Sequence, residues 1–169
     1  MIIIVFGLPG SGKSYFATHL ADQLSAVYIS SDRVRNEMFD KKTYLKAEKI
    51  LVYNEMLVRM KMAATQRSNV VLDATFFLRS IRMKFYEQGK KIDRTVFIEI
   101  VADEDLTAKR LRKQRPESEA DFEVYKKIKS EWEPMAEEHL VLQSADNNIS
   151  DMLQKTANYL GLTNDKRTN

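Results

Sequence analysis

One eight-residue run constrains this chain more than any other feature. Gly7-Leu8-Pro9-Gly10-Ser11-Gly12-Lys13-Ser14 meets every fixed position of the pattern G-x-x-x-x-G-K-[ST]. Ile2 to Phe6, just before it, is short, β-branched and apolar. A strand covered on both faces of a parallel sheet reads this way. Just after it, Phe16, Leu20 and Leu24 recur at every fourth residue, with Ala17 and Ala21 beside them. That spacing is the apolar stripe of a helix. The run therefore joins a strand to a helix, the setting in which this pattern forms a phosphate-binding loop. Glycine at 7, 10 and 12 admits positive φ and lets a phosphate approach the main chain. The N–H groups then converge at the positive end of the helix. Gly7, Pro9, Gly10, Ser11, Gly12, Lys13, Ser14 and Tyr15 are the expected contacts to a nucleotide's phosphates and their Mg²⁺. Lys13 supplies charge to the β- and γ-phosphates, and the Ser14 hydroxyl is a magnesium ligand.

A length of 169 residues suits one domain with a sizeable core. We expect that domain over 1–162, followed by a loose polar tail over 163–169. The chain has no cysteine, which removes disulfides and thiolate metal sites and fits a reducing, cytoplasmic setting. No apolar run approaches the roughly 18 residues of a membrane span, so no membrane partner is expected. The apolar start has no basic stretch ahead of it and enters the loop directly, so it is read as the first strand rather than a leader. A net charge of +3 permits an anionic substrate without arguing for nucleic acid. No obligate protein partner is evident.

The patterning predicts strands near 2–6, 27–30, 70–73, 95–101 and 140–142. Helices are predicted near 13–24, 32–39, 45–67, 78–88, 104–115 and 150–160. Another helix begins after Pro116, at a Ser118-Glu119-Ala120-Asp121 capping box, and stops before Pro134. In the 45–67 helix, Ile50, Tyr53, Leu57, Met60 and Ala64 make the expected inward stripe, and the methionines nearby read as core filler. Gly89 and Gly161 read as helix C-caps. Strands alternating with helices predict an α/β domain. Its five-stranded, mostly parallel sheet is covered on both faces.

Ligands of such sheets lie at the carboxyl ends of the strands, which draws attention to two acids. Asp32 follows the second strand, in Ser30-Ser31-Asp32-Arg33-Val34-Arg35, and Asp73 ends the third. Asp32 is assigned to the acceptor hydroxyl as general base or orienting group, and Asp73 to magnesium. The plainer alternatives are a helix cap at Asp32 and a simple strand end at Asp73. Arg35, one turn from Asp32, is a candidate for a substrate anion, with a surface salt bridge as the alternative. Arg82 is a weaker candidate of the same kind. Lys109 to Arg115 holds five basic residues in seven. It reads as part of a helical lid over about 104–134 that brings arginine charge to the transferring phosphoryl group, or as a solvated face or nucleic-acid patch. Arg112 and Arg115 share a face and are assigned the catalytic contact, with Arg110 next. His19 and His139 have no ligand-like neighbours and read as structural, as does Trp132 beside Pro134.

Together GLPGSGKS, SSDRVR, VVLDATF and KRLRKQR resemble the small P-loop kinases of the AAA_33 type. These are related to polynucleotide 5′-hydroxyl kinases, gluconate-type kinases and zeta toxins. The resemblance covers roughly 1–145 and implies a P-loop kinase fold. It implies ATP- and Mg²⁺-dependent transfer of the γ-phosphoryl group to a hydroxyl, with a polynucleotide or nucleotide 5′-hydroxyl as the first acceptor to consider. From the polynucleotide kinase branch it implies that Asp32 activates the hydroxyl and Arg35 contacts a neighbouring phosphate. The lid arginines of the family map to 110–115. Small-metabolite acceptors, a sugar nucleotide, and an adenine-nucleotide switch acting on a protein stay open. No N-K-x-D element occurs to read guanine.

Overall fold

The strand Ile2–Phe6 (β1) is buried along its whole length, and the rest of the fold is arranged to cover it. The structure is a computed structural model that describes residues 1–112 and 121–162. β1 lies between Val70–Asp73 (β3) and Thr95–Val101 (β4). Val27–Ser30 (β2) and Leu140–Gln143 (β5) take the edges. All four pairings are parallel, in the order β2-β3-β1-β4-β5. Apolar content follows position. The central strand is wholly apolar, while edge residues such as Val27 and Val141 reach solvent.

Successive β1 side chains enter opposite cores. Ile2, Ile4 and Phe6 pack with Val52, Met56, Met60 and Phe85. This core is closed by Ser31–Met38 (α2), Lys46–Thr65 (α3) and Arg79–Gly89 (α4). Ile3 and Val5 pack with Phe16, Leu20 and Met152, under Lys13–Leu24 (α1) and Ile149–Leu160 (α7). Between β4 and β5 the chain forms Glu104–Leu111 (α5) and Phe122–Ser130 (α6). Val5 and Ser30 both register with Asp73, so β1, β2 and β3 end level at their carboxyl edge. Among the described residues no helix is long and apolar enough to cross a membrane.

Several expectations need correction. The inward stripe of α3 is Glu48, Val52, Met56, Met60 and Ala63–Ala64, a run of every fourth residue. Ile50 and Met62 are exposed, and Tyr53 and Leu57 only flank the core. Gly89 is the last residue of α4 and has no positive φ. Its role is close approach, because a Cβ there would sit 2.6 Å from Thr95 Oγ1. Gly161 does adopt positive φ and caps α7 as expected. The basic helix ends at Leu111, and the N-cap of α6 is Asp121, whose carboxylate accepts from the Val124 N–H at 2.9 Å. The capping residues Ser118 to Ala120 and the tail 163–169 lie outside the described residues.

Arg82 is not a substrate contact but a buried brace with no exposed surface. Its guanidinium donates to the carbonyls of Phe76 (2.7 Å), Glu133 (2.6 Å) and Pro134 (3.3 Å). It also lies over the rings of Phe6 and Trp132, 5.3 and 5.7 Å from their centroids. Trp132 in turn stacks on Phe6 at 6.0 Å. One side chain thus ties α4 and the segment after α6 to the end of β1. Arg82→Leu leaves these carbonyls unpaired and is expected to lower stability by roughly 2–4 kcal/mol in urea denaturation. Arg82→Lys is expected to recover little of this, because a point charge cannot serve separated carbonyls as a planar fork does.

Candidate active site

The loop after β1 is shaped by what presses on it. At Gly10 (φ 79°) a Cβ would meet Thr107 Cγ2 at 2.8 Å and Leu111 Cγ at 2.9 Å. At Gly12 (φ 90°) it would meet Ser144 Oγ at 2.8 Å and an Arg110 guanidinium nitrogen at 3.1 Å. Conformation and space both require glycine there. Gly12 caps α1 without a side-chain hydrogen bond, and the first turn of α1 carries no acid. The leading N–H groups of α1 therefore keep their positive end available to an anion. Ser11 N–H closes the loop on the Leu8 carbonyl at 3.2 Å.

Two hollows flank this loop. The first, of about 350 Å³, has Pro9, Gly10, Lys13 and Ser14 on its floor. Asp32 and Arg35 come from α2, Lys49 and Tyr53 from α3, and Asp73 and Thr75 from the end of β3; Lys127 and Ile128 from α6 form the roof. The second, of about 810 Å³, lies between Gly12–Phe16 and the β5–α7 connection Ser144–Ile149. Lys13 and Ser14 border both. Tyr15 borders the second and is largely exposed, with its ring 4.3 Å from that of His19. His139 sits 3.1 Å from Glu99, away from both hollows.

Among the arginines, the structure favours Arg110 over Arg112. Its guanidinium donates to the Ser11 carbonyl at 3.3 Å and to Ser144 Oγ at 3.0 Å, and lies 3.6 Å from an Asp146 oxygen. Arg112 is exposed and borders neither hollow. Arg115 lies outside the described residues. The reason is helical phase. Thr107 and Leu111 pack on Gly10, so residue 110, one turn after 107, shares their side of α5.

Asp73 ends β3 buried and divided in function. Its Oδ2 accepts from the Tyr28 hydroxyl at 2.6 Å, while Oδ1 is buried with no hydrogen-bond partner among the described residues. Burial, reinforced by the Asp73 charge and hydrogen bond, pushes the Tyr28 hydroxyl well above its ordinary pKa. Tyr28 therefore remains a donor and holds the carboxylate in one orientation. A carboxylate oxygen so left over, lining the same cleft as Ser14, is a donor suited to a divalent cation.

Arg35 is not a surface salt bridge. It is nearly buried, with Nε 2.8 Å from Glu48 Oε1 and a terminal nitrogen 3.2 Å from Asp32 Oδ1. It lies over the Tyr44 ring at 5.0 Å. Glu48 was absent from the sequence reading, although an acid on the four-residue stripe of a buried helix face was the available signal. Burial pushes its carboxyl up. The Thr43 N–H (2.6 Å), the Thr43 hydroxyl (2.8 Å), the Tyr44 N–H (3.2 Å) and the Arg35 charge outweigh burial and hold it below 4.5. Tyr28, Lys49, Lys127 and the Ser144–Asn148 segment were also missed. Nothing in their local sequence ties them to the loop.

The AAA_33 family model, an AAA domain, matches residues 2–135. The chain belongs to this family. This AAA_33 domain is 29% identical over 130 residues to an adenylate kinase of Thermococcus kodakarensis, an alignment covering 68% of this chain and 56% of that one. The chain thus spans little more than half the length of that curated relative. Among solved structures, a sugar kinase from Janibacter sp. superposes with a TM-score of 0.74 at 12% identity, over 96% of this chain and 95% of that one. The APS kinase of Mycobacterium tuberculosis, in complex with AMPPNP and APS, superposes with a TM-score of 0.72 at 16% identity, over 95% and 96%. At these identities the likeness is one of fold, and the fold is that of a P-loop kinase.

The Glu48 shift gives a pH dependence. Its folded pKa lies below the unfolded one, so its contribution to stability is present above about 4.5 and is lost as pH falls through the folded value. Glu48→Gln is expected to be less stable than the parent near pH 7 and to lose less on acidification from about pH 6 to about pH 3. Urea titrations across that range measure both.

Proposed function

We propose that this protein is an ATP- and magnesium-dependent phosphotransferase acting on a hydroxyl. The observation that carries this reading is the convergence of Lys13, Ser14, Asp32, Arg35 and Asp73 on one cleft. The triphosphate runs along the loop from the larger hollow, and its γ-phosphate faces the smaller one. Lys13 and the N–H groups of the loop hold the β- and γ-phosphates. Arg110, already seated on the loop, adds charge over them. The Ser14 hydroxyl and Asp73 Oδ1 would hold the magnesium ion. When bound, that ion supplies charge that offsets the negative charge developing on the phosphate oxygens.

Asp32 stands in the cleft, one pairing step from Arg35. It accepts the proton of the acceptor hydroxyl as that oxygen bonds to the γ-phosphorus. The bond from this phosphorus to the β,γ-bridging oxygen breaks, and ADP leaves. The acceptor is of the nucleotide class, with a nucleotide or polynucleotide 5′-hydroxyl first; kinship with proteins named adenylate kinase supports the class. The modest volume of the cleft supports a second reading, in which a small sugar-like hydroxyl compound is the acceptor.

A panel of nucleosides, nucleotides, oligonucleotides and sugars with radiolabelled ATP tests the proposal. Transfer of label to at least one hydroxyl is expected. ATP hydrolysis that no such acceptor accelerates but a protein does would replace the reading with that of a switch. Lys13→Ala is expected to abolish transfer. Asp32→Asn is expected to lower kcat about 10²–10⁴-fold with ATP affinity nearly intact, as read by single-turnover kinetics and calorimetry.

A further inference from the structure

The cleft next to the loop holds more positive charge than catalysis alone requires. Its cations are Lys13, Arg35, Lys49 and Lys127. Lys13 belongs to the triphosphate. Arg35 is committed to two carboxylates, Glu48 at 2.8 Å and Asp32 at 3.2 Å. A guanidinium so engaged offers little unspent charge to a further anion. The other two cations differ. Lys49, half-buried on α3, has its ammonium 5.7 Å from the centroid of the Phe77 ring. Among the described residues neither Lys49 nor Lys127 forms an ion pair. The described lining of the cleft carries three carboxylates: Asp32, which pairs with Arg35, Asp73, which accepts from Tyr28, and Glu131, just after α6. Lys49 and Lys127 reach the cleft from different elements, one from the body and one from the roof.

We infer that Lys49 and Lys127 form an anion seat in the acceptor cleft, and that the acceptor is a small hydroxyl compound bearing its own phosphate monoester. This rests on the phosphotransferase reading and narrows its substrate. The ester's phosphate sits between the two ammonium groups at the far end. Its hydroxyl then points back toward Asp32 and the γ-phosphate. A volume of about 350 Å³ accommodates a phosphorylated sugar or a nucleoside monophosphate. The resemblance to polynucleotide kinases led us to expect the neighbouring phosphate on Arg35. The buried pairing of Arg35 with Glu48 moves that role to the lysines and makes Arg35 the residue that orients Asp32.

The test is equilibrium binding by calorimetry at about 0.15 M ionic strength, so that screening is constant, with the protein loaded with AMPPNP and magnesium. Matched probes are adenosine against its 3′- and 5′-monophosphates, and glucose against glucose 6-phosphate. Each phosphate-bearing probe that fits the cleft is expected to bind at least about tenfold tighter than its phosphate-free counterpart. The nucleotide and sugar arms separate the two sources of the ester. In Lys49→Ala/Lys127→Ala that preference is expected to vanish, and in Lys49→Arg/Lys127→Arg to return. Thermal melts of both variants check the fold, and the wild-type comparison stands without them.

Equal affinity for matched probes, no binding of any monoester at millimolar concentration, or an undiminished preference in the alanine variant would overturn the inference. Failure of the parent reading looks different. In that case AMPPNP gives no heat, or phosphate esters bind through the lysines and receive no phosphoryl group.

Discussion

The site depends on the parallel pairing of β1 with β3. Placing Val5 opposite Asp73, and Asp73 opposite Ser30, levels three strand ends along one edge. The phosphate loop, Asp73 and the start of α2 then have no choice but to meet. A slip of one residue in β1 would exchange the two cores, because Ile2, Ile4 and Phe6 face one and Ile3 and Val5 the other. Since all five are fully buried, the register is fixed by burial on both faces. The geometry of the site is thus set by hydrophobic packing some distance from any charged group.

On that frame the polar groups are held by partners rather than by their own helices. Tyr28 grips one oxygen of Asp73, and among the described residues the other has no partner. Glu48 grips Arg35, and Thr43 with the Tyr44 N–H grips Glu48. Arg110 spans from the loop carbonyl of Ser11 to Ser144. The Tyr28 and Arg110 contacts cross between elements far apart in the chain, while those of Glu48 are more local. Each also constrains a group that would otherwise lose rotamer freedom on binding a ligand.

The division of cations follows from the same logic. A buried guanidinium between two carboxylates is a structural and orienting group, whereas lysines that reach solvent and form no ion pair among the described residues retain their charge for a ligand. Arg82 is the extreme case. Its charge is fully enclosed and its hydrogen bonds all go to backbone carbonyls. A reading by residue type alone had put Arg35 and Arg82 in one category. Burial and partners separate them.

Local sequence was sufficient wherever the signal was local. The five strands, the loop and its glycines, and the acids at positions 32 and 73 were all legible, because period, turn chemistry and strand-end position are properties of adjacent residues. The family likeness was legible for the same reason. The phase of α3 was misjudged, since two apolar stripes coexist on it and only the neighbouring sheet selects between them. Arg110 could not be told from Arg112 until Thr107 and Leu111 were seen to pack on Gly10. Glu48 was legible in principle, as an acid on the buried four-residue stripe of α3, whereas the Tyr28 contact with Asp73 spans 45 residues and the placing of Lys49 and Lys127 on one cleft is a matter of tertiary structure. The sequence by itself determined that this chain builds a P-loop in an α/β sheet. Tertiary structure alone decided which charges are spent on each other and which face the cleft, because the pairing of charges depends on distance in space.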